Sequence, residues 1–168
     1  MALSRSLVFH YASDVGKLSP SSTRDLHISR AEEILNKEAG WKALAGTTDF
    51  GVIAANRRTQ PGTHGLAFDL FADRVLGFVG SYYVTLGGRV DALVFAGGIG
   101  EKSADFRAEV VGRLACLGFA LDDGKNGRKV EETVVDVTGD EARHKTLVCL
   151  TDEQFEMARA CAENEELW

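Results

Sequence analysis

The feature that most constrains the fold of this chain is the segment VFAGGIGEKS at 94–103. An apolar run at 92–96 predicts a β-strand, which stops at Gly97 and Gly98, and Gly100 follows shortly after. Glycine permits positive φ and lets a ligand approach the backbone closely, and the N–H groups at a helix start attract anions. The spacing differs from both the dinucleotide-binding and the P-loop glycine patterns. The segment therefore predicts either a cradle for a phosphate or nucleotide, or a tight strand-to-helix turn that binds no ligand.

Apolar periodicity and turn residues predict an α/β chain with about three strands and several helices. The predicted strands are 92–96, 132–138 and 146–151. The predicted helices include 30–40, 66–86, 103–117 and a C-terminal helix from Thr151 towards Leu167, with loops at 17–23 and 59–65 and a turn or helix entry at 47–56. Nucleotide-binding α/β sheets usually have at least five strands. The shortage of strands, all in the second half, favours a chain that lacks an N-terminal part of its domain over one with unrecognised strands.

Composition and charge narrow the class of protein. The chain has 168 residues, 45% of them hydrophobic, which is enough for a core. Its formal net charge of −6 argues against a nucleic-acid-binding protein. The cysteines Cys116, Cys149 and Cys161 show no zinc-ligand spacing, and the most apolar stretch, 66–86, contains charged residues that argue against a membrane span. The sequence therefore predicts a soluble cytoplasmic protein that binds neither nucleic acid nor membrane.

Four segments resemble acetate kinases in order and spacing. The segment DALVFAGGIGEKSADFR at 91–107 resembles that family's D-A-[IL]-V-F-T-G-G-I-G-E-N-S-x-x-x-R. LVFHYASDVGKLSPSS at 7–22, AEEILNKEAGWKALAGTTDFG at 31–51 and LVCLTDEQFEMAR at 147–159 resemble three further segments of the family. The resemblance is closest to the fungal branch. It implies the ribonuclease H-like fold of the superfamily that contains acetate and sugar kinases and actin, and an enzyme that transfers a phosphoryl group between ATP and acetate.

The resemblance also implies a nucleotide site and a metal ligand. The implied nucleotide-binding residues are Asp49, Phe50, Gly51, Gly97, Gly98, Ile99, Gly100, Glu101 and Lys102. Glu153, in the first turn of a helix that follows a predicted strand, is implied to hold Mg²⁺ directly or through water. Without the resemblance, the pattern favours simpler roles: a helix cap for Asp49, core packing for Phe50 and a favourable helix-dipole interaction for Glu153.

Two of these positions depart from the family pattern. Lys102 stands where most of the family has asparagine, so an amide able to contact the base is replaced by a cation. Gly51 stands where the family has an arginine that borders the adenine. Because both expected contacts to the base are absent, the sequence allows weaker ATP binding or another phosphoryl donor, such as pyrophosphate.

The resemblance covers only the C-terminal part of an acetate kinase, so 1–168 is predicted to be the nucleotide-binding portion of a longer enzyme. The family's catalytic residues and acyl pocket belong to the preceding part, so no catalytic residue is expected in this chain and it is predicted to be inactive alone. The acyl substrate, acetate or another short-chain acid, stays open. A homodimer is expected from the family, and a catalytically inactive nucleotide-binding or dimerisation module is the alternative.

Overall fold

The computed structural model describes residues 17–164, and the chain forms two compact units that divide between Phe68 and Asp69. Most of the sequence match at 7–22 and the end of the predicted C-terminal helix therefore lie outside the described residues. None of the helices within the described part is both long and apolar enough to cross a membrane. The three cysteines are free.

The described part of the first unit is helical from Arg30 onwards. Its elements are α1 (Arg30–Glu33), which continues as π-helical Ile34–Glu38, α2 (Trp41–Ala45), α3 (Phe50–Asn56) and π-helical Pro61–Gly65, which leads into α4 (Leu66–Thr85). Ser29 caps α1, because its side-chain oxygen accepts a hydrogen bond from the Glu32 N–H. The helix predicted over 30–40 is confirmed up to Glu38.

The loop predicted over 59–65 is wrong for most of its length, because Pro61–Gly65 is helical and joins α4 without a break. Proline at the first position of a helix has a favourable φ, and its missing N–H would have no partner there. A Cβ on Gly65 would lie 2.9 Å from the Arg57 carbonyl oxygen, so glycine here allows close packing. The Pro-Gly composition that indicated a loop thus starts a helix instead.

Aromatic side chains form the core of the first unit. The Phe50 ring lies between Trp41, at 5.3 Å between centroids, and Phe68, at 5.5 Å. The Arg57 guanidinium lies 4.4 Å from the Phe68 centroid on its face. Ile53, which lies on the same helix as Phe50, is also fully buried. The segment at 47–56, predicted as a turn or helix entry, is therefore a turn followed by a helix whose inner face is in the core.

The second unit contains most of α4 and a mixed sheet with its helices. Gly87 and Gly88 follow the end of α4 with φ of 60° and 71°, which confirms the predicted helix and its glycine stop. The remaining elements are β1 (Ala92–Ala96), α5 (Gly97–Lys102), α6 (Ala104–Arg113), a 3-10 turn (Ala115–Leu117), α7 (Asp123–Asn126), β2 (Val134–Asp136), β3 (Lys145–Cys149) and α8 (Glu153–Glu163).

The sheet has the strand order β1-β3-β2, and its three strands confirm the number predicted from the sequence. β1 and β3 are parallel, with Phe95 opposite Val148, whereas β2 is antiparallel to β3. Because parallel strands end at the same edge of a sheet, α5 and α8 both begin at that edge. This topology brings the glycine segment and the segment of Glu153 together.

Apolar side chains from α4, the sheet, α6 and the segments that follow them form the core of the second unit. Its buried members are Ala72, Phe95, Phe106, Val110, Val111, Leu114, Phe119, Val137 and Val148. The Phe106 ring stacks on Phe71 of α4 at 5.0 Å between centroids. Thr146 of β3 is fully buried as well, and its hydroxyl has no hydrogen-bond partner within residues 17–164.

The helix predicted to begin at about Ser103 is two helices. α5 begins at Gly97, directly after β1, and Ser103 then breaks the helical backbone with φ −104° and ψ 89°. The Ser103 side-chain oxygen accepts from the Phe106 N–H and so caps α6. The glycine segment is therefore not a turn that precedes a helix: after the left-handed φ of Gly97 it forms the helix itself.

The C-terminal helix begins later than predicted. Asp152, not Thr151, caps α8 by accepting from the Phe155 N–H at 2.9 Å. The Thr151 hydroxyl donates instead to the Glu101 carboxylate at 2.7 Å. A contact far away in sequence thus takes the side chain that local spacing had assigned to the cap.

Candidate functional site

The structure places different constraints on the three glycines of α5. Gly97 has a φ of 72°, a conformation that other residues rarely adopt. Gly100 is buried, and a Cβ there would lie 3.2 Å from the Phe95 carbonyl carbon. Gly98 has neither constraint, because its φ is not positive and a Cβ would meet open space. The fold explains glycine at 97 and 100, whereas neither backbone conformation nor packing requires glycine at 98.

Glu101 joins α5 to the segment before α8. Its Oε1 accepts hydrogen bonds from the Gly97 N–H at 2.9 Å, the Thr151 N–H at 2.9 Å and the Thr151 hydroxyl at 2.7 Å. The Thr151 hydroxyl is the main cause that lowers the pKa of Glu101 below its ordinary value, and the two N–H groups act in the same direction. Glu101 was implied as a nucleotide-binding residue, and in the structure its carboxylate already occupies one of the first N–H groups of α5.

Arg107 was not among the predicted site residues, although it ends the motif that carries the resemblance. Its side chain is 2% exposed, and it donates to the carbonyl oxygens of Gly100 and Glu101, each at 2.8 Å. It also donates to the side chain of Asn126 at 2.6 Å and to the carbonyl oxygen of Asn126 at 2.8 Å. Burial lowers the pKa of this guanidinium. The fixed spacing between the glycines and this arginine was the signal that could have identified it.

α5 and the start of α8 line one cleft at the edge of the sheet. The cleft encloses about 330 Å³ and is lined by Gly97, Gly98, Glu101, Lys102, Thr151, Asp152, Glu153 and Gln154. Glu153 is exposed and stands at the first position of α8, as predicted. The structure therefore brings four residues of the implied nucleotide site to the same cleft as the implied metal ligand, namely Gly97, Gly98, Glu101 and Lys102, whereas Ile99 and Gly100 do not line it.

Glu153 could hold a metal ion only together with other ligands. No group of three or more His, Cys, Asp or Glu side chains able to hold a metal occurs among the residues that the structure describes. Mg²⁺ is commonly bound by one or two protein carboxylates together with substrate phosphates and water. An exposed carboxylate beside an open cleft fits that arrangement, in which a nucleotide would supply the remaining oxygens.

Three of the implied nucleotide-binding residues, Asp49, Phe50 and Gly51, lie in the first unit. Asp49 caps α3, because its Oδ1 accepts from the Gly51 N–H at 2.7 Å and from the Val52 N–H at 3.2 Å. Phe50 is buried in the aromatic core. The simpler roles considered for both residues are thus filled in the structure, and a contact of this segment with nucleotide stays a prediction. Ile99 is half-buried on α5.

Comparisons with known proteins match most of this chain to one family. The family model described as Acetokinase family matches residues 19–159. The probable acetate kinase of Chaetomium globosum is 56% identical over 97% of this chain and 44% of its own length. That of Neurospora crassa is 54% identical over 97% of this chain and 40% of its own length. The chain thus spans less than half the length of these curated relatives.

Solved structures show the same fold. The acetate kinase from Entamoeba histolytica superimposes with a TM-score of 0.72 at 24% identity, over 81% of this chain and 36% of that one. A propionate kinase from Francisella tularensis superimposes with a TM-score of 0.67 at 33% identity, over 76% of this chain and 32% of that one. These neighbours have the actin-like ATPase fold, which confirms the predicted fold class. On the family match and the fungal relatives, this chain belongs to the acetokinase family.

Proposed function

We propose that this chain is the nucleotide-binding part of an acetate kinase that transfers a phosphoryl group reversibly between ATP and acetate. The observation that carries the proposal is the cleft in which α5, with its unconstrained Gly98, faces the exposed carboxylate of Glu153. Membership of the acetokinase family supports a phosphotransferase. The proposal assigns the adenosine and α-phosphate to the side of α5 and the metal-linked phosphates to the side of Glu153.

The chemistry asked of these residues is positioning. Phosphoryl transfer depends mainly on alignment and on stabilisation of the charge of the transferred group. Gly98 leaves space for a nucleotide against the backbone, and the Glu153 carboxylate would hold Mg²⁺ directly or through a water molecule. Mg²⁺, when bound, neutralises phosphate charge. Because the acyl pocket is implied to lie in the preceding part of the family's chain, this chain is proposed to bind nucleotide without turnover.

Titration calorimetry of the chain with Mg-ADP tests the proposal. We expect binding that weakens when Mg²⁺ is omitted. Glu153→Gln removes the charge that attracts the metal, so the Mg²⁺-dependent part of the affinity should fall by about tenfold, the effect of losing one charged contact. Glu163→Gln, at the far end of α8, is the matched control and should bind as the wild type does.

Two results would contradict the proposal. A folded chain that does not bind Mg-ADP would favour the inactive module without a nucleotide site. Substantial formation of acetyl phosphate from ATP and acetate by this chain alone would contradict the division of catalytic parts. If the chain does form acetyl phosphate, propionate, the substrate in the name of the Francisella tularensis relative, is tested in place of acetate in the same assay.

A different phosphoryl donor has its own supporting observation. Lys102 is exposed and lines the cleft at the position where the family has an asparagine, and Gly51 offers no side chain to a base. The Lys102 ammonium attracts phosphate groups, and the side chains that would contact adenine are absent, so this site favours phosphate groups over adenine. Competition between pyrophosphate and Mg-ADP decides this: displacement by pyrophosphate that is lost in Lys102→Asn supports the second donor, and no displacement supports ATP.

A further inference from the structure

We infer that Arg107 is a positioning residue, which sets the orientation of α5 and, through Glu101, of the segment that carries Glu153. The inference rests on the proposed function, because it concerns the same cleft. Arg107 does not line the 330 Å³ cleft itself. Its effect on a ligand therefore passes through the elements that it contacts.

Nearly all of the hydrogen-bond donors of the Arg107 side chain have an acceptor. Its Nη1 donates to the Gly100 and Glu101 carbonyl oxygens, and its Nε and Nη2 donate to the side chain and the carbonyl oxygen of Asn126. A guanidinium has five donors in a rigid planar fork, and four of them are engaged here. Such a fork holds its acceptors at a defined separation and angle, and a buried cation with acceptors on both sides has little freedom to move.

α5 needs such a contact because it is short. A helix of this length is not stable by itself, and the carbonyl groups of its last turn have no partner within the helix. Arg107 supplies donors to the carbonyls of Gly100 and Glu101, and its positive charge at the C-terminal end is favourable for the helix dipole. At the other end, the Glu101 carboxylate accepts from the Gly97 N–H. Charged groups therefore hold both ends of α5.

The contacts continue on both sides of α5. The Asn126 Nδ2 donates to the Ala104 carbonyl oxygen at 2.9 Å, so the acceptor pair of Arg107 is itself attached to the start of α6. On the other side, Glu101 accepts from the N–H and hydroxyl of Thr151, two residues before Glu153. A shift of α5 would therefore move both walls of the cleft, which makes Arg107 a determinant of its shape.

The test compares two conservative substitutions on one helix. Arg107→Lys keeps the charge, but an ammonium group cannot reach the acceptors on both sides at once. Arg113→Lys is the matched control, because Arg113 lies on the same helix with its side chain 41% exposed and pairs with Glu109 at 2.8 Å. For Arg107→Lys we expect about tenfold weaker binding of Mg-ADP and about tenfold faster amide exchange at 97–102. Exchange in β3 and all values for Arg113→Lys should stay at wild-type levels.

The readouts separate positioning from general stability. If Arg107 only stabilises the fold, exchange accelerates uniformly and the dissociation constant of the folded protein does not change, and that result would overturn the inference. Asn126→Ala, which removes one acceptor of the guanidinium, serves if Arg107→Lys does not fold; a local effect of about threefold is expected. If the wild-type chain fails to bind Mg-ADP, the proposed function fails, and the exchange comparison still decides whether Arg107 sets α5.

Discussion

Two helices line the candidate cleft, and the protein holds them in different ways. α5 has a carboxylate at its first N–H and a buried guanidinium at its last carbonyls, and the neighbouring α6 buries Phe106 and Arg107. α8 begins on the Asp152 cap, and none of its described residues is buried. The two sides of one site therefore differ in how deeply their residues are buried in the core. The difference teaches that the glycine side is fixed within the core, whereas the Glu153 side is an exposed helix held at its start by the Asp152 cap and by the hydrogen bonds from Thr151 to Glu101.

The largest expected contrast is between two phenylalanines. Phe106 on α6 is 4% exposed and Phe155 on α8 is 62% exposed. Phe106→Ala leaves a cavity beside Phe71 and should lower the free energy of unfolding by about 3–5 kcal/mol. Phe155→Ala should change it by no more than about 0.5 kcal/mol. Urea unfolding followed by circular dichroism measures both, and similar losses for the two variants would remove the contrast.

The next contrast separates glycines that the fold requires from one that it does not. Gly100→Ala places a Cβ 3.2 Å from the Phe95 backbone, so we expect a loss of stability of about 1–3 kcal/mol. Gly98→Ala meets open space and should not lower the thermal unfolding midpoint. It should nevertheless weaken Mg-ADP binding about tenfold, because the methyl group enters the space proposed for the ligand. Wild-type affinity in Gly98→Ala would count against close approach at this residue.

β3, which leads to α8, offers an expected gain in stability. The buried Thr146 hydroxyl has no partner in the described chain, so Thr146→Val should raise the free energy of unfolding by about 1 kcal/mol. Thr138 is the control, because its hydroxyl oxygen accepts from the Thr146 N–H at 2.9 Å. Thr138→Val should lower stability by about 1 kcal/mol. Chemical denaturation distinguishes the two, and a loss in Thr146→Val would show that the hydroxyl has an unrecognised role.

The smallest effect is expected from the pH dependence of Glu101, which joins the two sides. Hydrogen bonds from Thr151 and Gly97 lower its folded pKa below the ordinary 4.5. Its carboxylate therefore contributes stability that is fully present above the unfolded pKa and is lost as the pH falls through the folded value. The stability difference between the wild type and Glu101→Gln should be present at about pH 7 and shrink below about pH 4. Unfolding midpoints that differ by the same amount at every pH would contradict this.

Local pattern was sufficient where an element depends on its own residues. The predicted strand at 92–96 agrees with Ala92–Ala96, because an apolar run that begins after an aspartate and ends at two glycines is a local signal. The long helix and its glycine stop were predicted for the same reason. Pattern failed at Pro61–Gly65 and at Thr151, where packing against Arg57 and a hydrogen bond to Glu101 decide the conformation. Both contacts join residues whose closeness no local spacing encodes.

The candidate site divides in the same way. The sequence by itself determined the family, the α/β class, the glycine segment and the carboxylate at 153, since motif order and residue chemistry are written along the chain. Only the tertiary structure decided three features: a Cβ at Gly98 would meet no neighbouring atom, Thr151 donates a hydrogen bond to Glu101, and Arg107 donates to the last carbonyl groups of α5. The physical reason is that hydrogen bonds and steric clearance depend on distances between atoms of different elements, and the parallel pairing of β1 with β3 sets those distances.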